Sequence, residues 1–324
     1  MSASTPYQQT PLAAIFSLEG LAPSDDERTC FEQANPLGFI LFKRNIESPD
    51  QLLTLTSHLK EIVGWDCPIL IDQEGGRVQR MKEPHWPPYA APLSFDGDAA
   101  AVKASTKAMV SDLANVGINV NCAPTLDVLT DKTDNSIGDR AFGHDVQTVT
   151  VCGKAVIDAH LAQGVVPIIK HLPGQGRVVV DSHHDLPHVS ETHTTLSHHD
   201  FQPFQELSAS YGSNIWGMVA HILFTELDEI HPSTLSKHII QDIIRYEIGS
   251  QGLLLSDDIS MGALEKYGDE SQRGALSIEA GMDIVLYCAG KLEHMYKLQE
   301  SLPLMTDAAQ ERFIASWDRG GLIA

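Results

Sequence analysis

Basic side chains are scarce in this chain. Its 324 residues carry 22 lysines and arginines against 43 aspartates and glutamates. Little is then available to neutralise phosphates at the density a nucleic acid presents, so no nucleic-acid partner is expected. The acidic surplus reads as a solvated surface that keeps the protein soluble. Long apolar runs are also missing: no segment approaches the roughly 20 residues of a membrane span, so no membrane partner is expected. From Met1 to Gly20 no basic region precedes the short apolar run. That is not the pattern of a secretory leader, and a cytoplasmic location is expected. Cysteine is sparse, and Cys30, Cys67, Cys122, Cys152 and Cys288 are odd in number and widely spaced. They read as small core residues of a reduced compartment, not as a disulfide or zinc framework. Histidine is plentiful, but no His-Glu-x-x-His helix occurs, and neighbours such as His183-His184 and His198-His199 point in different directions on most backbones. Neither a metal nor a cofactor is expected, and His193, His198 and His199 are read as solvated.

Repeats and low-complexity tracts are absent as well. In their place stands a series of short apolar runs, which predict strands over 13–17, 38–42, 68–72, 118–123, 166–171, 217–222, 252–257 and 283–288. Most are separated by stretches with helical spacing. Ser48 and Pro49 supply a cap and a first-turn proline ahead of Leu52, Leu55, Leu59 and Ile62. Asp145 caps a second helix ending at Gly164, and Ser236 a third with Ile239, Ile240, Ile243 and Ile244. Eight alternations of this kind predict a single (β/α)8 TIM-type barrel, with residues 1–324 as one catalytic domain. A doubly wound open sheet would need a phosphate-binding turn. The glycine pair Gly174-Gln-Gly176 lacks the third glycine, and Arg177 to Val180 do not start a helix. The proline-rich stretch His85 to Asp98 is read as a surface excursion, and Met295, Leu298 and Leu302 as part of a closing helix.

Several runs stay apolar until one charged residue at the C-terminal end, where barrels place their chemistry. Cys67 to Ile71 ends on Asp72, with Arg80 soon after; Gly252 to Ser256 ends on Asp257; Val165 to Ile169 ends on Lys170 and His171. A loop broken by Pro173, Gly174 and Gly176 then carries Asp181 and His183. A carboxylate that orients an imidazole makes a tuned general acid/base, and a flexible loop can bring it to a substrate. Arg140, after the fourth strand, and His221, at the end of the sixth, complete the candidates. A nucleophilic carboxylate with a separate proton donor is the minimum equipment of a retaining glycosidase. Arginine, lysine and neutral histidine around a further aspartate suit a polyhydroxylated ring. Strand-end carboxylates also serve aldolases, isomerases and metal hydrolases, and residue types alone leave these open.

Five separate motifs occur in one order: Asp72-Gln-Glu-Gly-Gly-Arg-Val-Gln-Arg80, Gly138-Asp-Arg-Ala-Phe-Gly143, Lys170-His-Leu-Pro-Gly174, Asp181-Ser-His183 and Ser256-Asp-Asp-Ile-Ser-Met261. With them the chain resembles the single-domain β-N-acetylhexosaminidases of glycoside hydrolase family 3, bacterial enzymes of peptidoglycan recycling, from about Gly38 to Cys288. The resemblance implies Asp257 as the nucleophile, His183 as the general acid/base and Asp181 as its orienting partner. It places Asp72, Arg80, Arg140, Lys170 and His171 on sugar-binding positions. We add His221 as a further substrate-binding candidate. Where the family commonly has Gly-His-Gly, this chain has Gly174-Gln175-Gly176, a difference that bears on loop packing.

An imidazole suits the acid role, since it starts near a pKa of about 6.5 without needing repulsion from a second carboxylate. The expected reaction removes terminal N-acetylglucosamine from N-acetylglucosaminyl-anhydro-muramyl muropeptides, with water as the default acceptor and phosphate as another. A monomer acting on a small carbohydrate is expected. A non-catalytic sugar-binding barrel would need a broken nucleophile or dyad, and both are intact. A β-glucosidase would usually carry a second domain and a glutamate acid/base.

Overall fold

The computed structural model describes residues 5–182 and 185–317. Eight parallel strands close into a barrel: β1 (Leu12–Phe16), β2 (Pro36–Leu41), β3 (Ile69–Ile71), β4 (Val120–Asn121), β5 (Val166–Leu172), β6 (Trp216–Val219), β7 (Leu254–Asp258) and β8 (Ile284–Leu286). Each pairs with its neighbours in chain order, and β1 meets β8 through Ala14 opposite Val285. All eight predicted strands are present, and the (β/α)8 expectation holds. The side chains are buried on both faces, as in a sheet with helices outside and a packed interior. The fourth strand is shorter than its apolar run, and its pairing with β5 resumes past Pro124 in a single bridge between Thr125 and Lys170.

The helices begin where capping chemistry puts them. Ser48 accepts from the Gln51 N–H at the start of the helix Pro49–Val63, and Asp145 accepts from the Thr148 N–H at the start of the helix Val146–Leu161. The stretch after Ser236 departs from expectation. Ile239–Glu247 winds as a π-helix, with the Ile248 N–H reaching back five residues to the Ile243 carbonyl. Its four isoleucines still share a buried face. The stretch 85–98 also departs from a plain surface excursion. Gln79 donates to the Pro87 carbonyl, Tyr89 donates to Asp112, and Trp86 is buried. The helix expected through Met295 and Leu298 forms over Leu292–Ser301, with Leu302 as its C-cap, and a further helix, Asp307–Trp317, seals the N-terminal mouth of the barrel: Arg312 pairs with Asp283, and Trp216 Nε1 donates to Ser316. That leaves the opposite mouth open for a site. No described helix is long and apolar enough to cross a membrane.

One buried histidine links the helix Val146–Leu161 to the barrel wall. His160 Nδ1 lies 2.8 Å from the Val156 carbonyl and must donate to it, so Nε2 accepts from Asn121 at 2.9 Å. Burial pushes its pKa down to about 4. The unfolded chain, with a histidine pKa of about 6.5, binds that proton more readily. Stability therefore falls as pH drops from about 6.5 towards 4, by on the order of 3 kcal/mol. His221 is shifted in the same direction by its burial. We expect His160→Gln to lose most of this slope, checked by urea melts at about pH 7 and about pH 4.5. Identical slopes in the two proteins would place the titration elsewhere.

Candidate active site

The open mouth holds a pocket of about 400 Å³, walled by Asp72, Arg80, Arg140, Lys170, His171, Gln175, Asp181, Asp257 and Asp258 among others. Phe42, Met218 and Met261 give it an apolar side. Asp72 follows β3 directly, and the chain then turns back through a small hairpin, Gln73–Gly75 with Val78–Gln79. Gly75 permits that turn: its φ is +99°, and a Cβ there would come within 2.3 Å of the Ala90 carbonyl. The hairpin returns Arg80 to within 3.0 Å of Asp72.

Lys170, pointing in from β5, is the centre of an ion network. Its ammonium is 3.0 Å from Asp72 Oδ1 and 2.6 Å from Glu74 Oε1, with the side chain almost wholly buried. Glu74 in turn receives Arg140 through two bonds of 2.9 Å. Arg140 also lies 3.3 Å from His171 Nε2. A guanidinium can only donate, so Nε2 accepts and Nδ1 carries the proton that His171 gives to Asp127 Oδ2 at 2.7 Å. Burial alone would raise the Asp72 and Glu74 pKa values, but the adjoining cations outweigh it. Lys170 and Arg80 hold Asp72 well below the usual carboxylate range, and Arg140 and Lys170 bring Glu74 down to about 2. Against its own burial, Lys170 is pushed up by the same two carboxylates.

The two aspartates at the end of β7 have different surroundings. Asp258 takes the Ser260 N–H and hydroxyl at 3.0 and 2.6 Å and the Cys288 N–H at 3.1 Å. Burial raises its pKa above the ordinary value. Asp257 accepts the Asp258 N–H at 2.8 Å, and no described side chain bonds to it. A carboxylate on the pocket wall without side-chain donors keeps its lone pairs for a ligand.

Eight of the nine sequence-predicted site residues fall among the described residues; His183 lies outside them. Asp72, Arg80, Arg140, Lys170, His171, Asp181 and Asp257 converge on this one pocket. His221 is the exception. Its Nε2 donates to the Asp258 carbonyl at 3.0 Å, and its Nδ1 meets the Thr234 hydroxyl at 2.7 Å. Both ring nitrogens are occupied, so it braces the backbone behind the two aspartates and is not part of the pocket wall. Sequence reasoning missed Glu74 and Asp127. Glu74 sits two residues after Asp72, on the same side of an extended chain, which was a usable signal. Asp127 follows the fourth strand past Pro124, where no apolar run ends on it.

Comparison with known proteins follows the same line. The model of the glycosyl hydrolase family 3 N-terminal domain matches residues 11–316. A beta-hexosaminidase of Methylococcus capsulatus is 36% identical over 279 residues, 85% of this chain and 82% of that one. A beta-hexosaminidase of Alkalilimnicola ehrlichii is 34% identical over 282 residues, covering 85% and 80%. Among solved structures, NagZ from Neisseria gonorrhoeae in complex with N-trifluoroacetyl-D-glucosamine superposes with a TM-score of 0.84 at 27% identity, covering 95% of this chain and 90% of that one.

Glu74 is the residue on which the network is most easily tested. Its folded pKa of about 2 lies below the ordinary 4.5, so its contribution is complete above pH 4.5 and is lost as pH falls through about 2. Glu74→Gln leaves Lys170 and Arg140 buried with one anion fewer. We expect about 3–5 kcal/mol of destabilisation in urea melts at neutral pH. A loss under about 1 kcal/mol would mean that solvent, and not Glu74, balances these cations.

Proposed function

The chain belongs to glycosyl hydrolase family 3, and on that premise we propose the course of the reaction it catalyses. It is a glycoside hydrolase with β-N-acetylhexosaminidase activity, the activity named for its relatives. In our reading Asp257 attacks the anomeric carbon of a terminal β-linked N-acetylglucosamine. His183 gives its proton to the departing glycosidic oxygen, and a glycosyl-enzyme ester forms on Asp257. Water then attacks the same carbon while His183 takes a proton from it, releasing the sugar with retained configuration and restoring both groups. Asp181 orients the imidazole and supports its charged form. The observation that carries this reading is the contrast at the end of β7, where Asp257 takes no bond from any described side chain and Asp258 is tied down by Ser260 and Cys288.

The sugar would lie against Asp72, Arg80, Lys170 and His171, whose mutual ion pairs hold their remaining donors and acceptors towards the pocket. Arg140, with its bonds to Glu74, Ser136 and His171, would act mainly by fixing those groups. A pocket of about 400 Å³ suits one terminal sugar, hence exo action. The resemblance extends the substrate to N-acetylglucosaminyl-anhydro-muramyl muropeptides in cell-wall recycling, handled by a single catalytic domain acting as a cytoplasmic monomer.

Asp257→Ala is expected to abolish turnover, and a slowed fluoro-sugar substrate should label the wild type on Asp257. An adduct mapped by mass spectrometry to Asp258 would sink the assignment. Lys170→Ala should lose at least about ten- to a hundredfold in kcat/KM, since it removes a charged donor worth roughly 1.5–3 kcal/mol and also the cation that Asp72 and Glu74 share, so a urea melt of the variant is read beside the kinetics. For His183→Ala, the kcat/KM of a nitrophenyl glycoside should survive far better than that of a disaccharide, because a nitrophenolate leaves with little proton assistance. Equal losses on both would remove His183 from the acid role.

A further inference from the structure

Gln175 stands between the sugar-binding wall and the acid/base segment, at the position where the resembled family commonly carries histidine. Its backbone is held on both sides. The Gly174 N–H donates to the His171 carbonyl at 2.8 Å, and the Gly176 carbonyl accepts from the Thr133 hydroxyl. A Cβ at Gly176 would come within 1.9 Å of the Val128 carbonyl, so the chain is pressed against its neighbour there. The Gln175 N–H itself donates to Asp127 Oδ1 at 2.6 Å, and the other oxygen of that carboxylate takes the His171 Nδ1 proton at 2.7 Å.

With the backbone so fixed, the side chain has little freedom. It lines the pocket, only 4% exposed, and its Nε2 lies 3.5 Å from the Ser182 hydroxyl. Ser182 is the residue between Asp181 and His183, and its carbonyl accepts the Ala263 N–H from the loop after β7 at 3.2 Å. The bond from Gln175 is long, and its Oε1 is buried without a partner among the described residues. Buried polar groups are nearly always satisfied, and an idle one calls for an explanation. Hydrogen bonds that organise catalysis are often long before the substrate binds and tighten in the complex.

We propose that Gln175 is a positioning residue: its amide couples the His171–Asp127 pair to Ser182, and so steadies Ser182 and the adjoining Asp181 for the acid/base step. The proposal rests on the reading of His183 as the acid/base. It names no contact between Gln175 and the reacting atoms.

The test compares two substrates on the full chain: N,N′-diacetylchitobiose, whose leaving sugar needs a proton, and a para-nitrophenyl N-acetylglucosaminide, which needs little help. Gln175→Met keeps the length of the side chain and removes both hydrogen-bonding atoms. We expect its kcat/KM on the disaccharide to fall by about ten- to a hundredfold, and on the nitrophenyl glycoside by about threefold or less. Ser182→Ala should give the same split. In the double variant the two losses should fail to add, as for residues acting through one bond. Gln175→His, whose ring can also reach a hydroxyl, should recover part of the disaccharide activity. Equal losses on both substrates, additive losses in the double variant, or no loss at all would overturn the proposal. Thermal melts of each variant separate a folding defect from misplacement, and if Gln175→Met melts early the Ser182→Ala arm decides. His183→Ala run alongside separates the two claims. If it shows the split and Gln175→Met does not, the positioning role fails alone; if neither shows it, the acid/base assignment fails with it.

Discussion

The buried ammonium of Lys170, wedged between Asp72 and Glu74, is the constraint on which the rest of the site depends. An unpaired cation at that depth would be untenable, and so would either carboxylate alone. The three groups come from two strand ends and the turn after one of them, so each fixes the position of the others. Arg80 and Arg140 then attach to the free sides of the same carboxylates. The result is a rigid polar wall whose geometry does not depend on any single loop. A wall of that kind suits a sugar, because hydroxyl recognition needs donors and acceptors already held in place.

The same pocket shows how position along a strand separates two chemically identical side chains. Successive residues of β7 face opposite ways, so Asp257 and Asp258 meet different surroundings despite being adjacent. Asp258 is turned into a nest of N–H and hydroxyl donors that bind its backbone turn together. Both line the cavity, but Asp257 takes no bond from a described side chain and accepts just the Asp258 N–H. His221 completes this division by bonding the Asp258 carbonyl, which helps keep the strand end from twisting. Histidine is thus used in three ways: His221 as a brace, His171 as an oriented member of the wall, and, on our reading, His183 as the acid.

Much of this was legible from residue order alone, and the reasons are physical. Parallel strands buried on both faces leave unbroken apolar runs, and helix caps leave serine, aspartate or proline at defined offsets, so the eight units could be counted. Strand-end charges stand out against those runs, which exposed Asp72, Lys170 and Asp257. What could not be read was partnership across the chain. Glu74 meets Arg140 and Lys170 from distant segments, and Asp127 meets His171 after an irregular stretch past Pro124. Nothing in local periodicity reports such pairs. His221 misled for a related reason: a polar residue at a strand end has the same local signature whether it faces the cavity or the layer behind it. The winding of Ile239–Glu247 was hidden because its four isoleucines fall on one face in either helix type.

The crowding of anions around the pocket gives a reason for an imidazole acid on the mechanism proposed here. Asp72, Asp181, Asp257 and Asp258 already line the cavity, with Glu74 and Asp127 just behind. The cations Lys170, Arg80 and Arg140 are spent on Asp72 and Glu74, so they do little to balance the β7 side. A glutamic acid added near Asp257 would lose its proton only against strong repulsion, and once ionised would oppose the carboxylate that has to attack. An imidazole alternates between neutral and cationic forms and never carries negative charge. In its acid form it is attracted by the surrounding aspartates, and in its base form it adds no repulsion. On that mechanism one group can then serve both as the acid for the leaving oxygen and as the base for the incoming water without adding to the negative charge around Asp257.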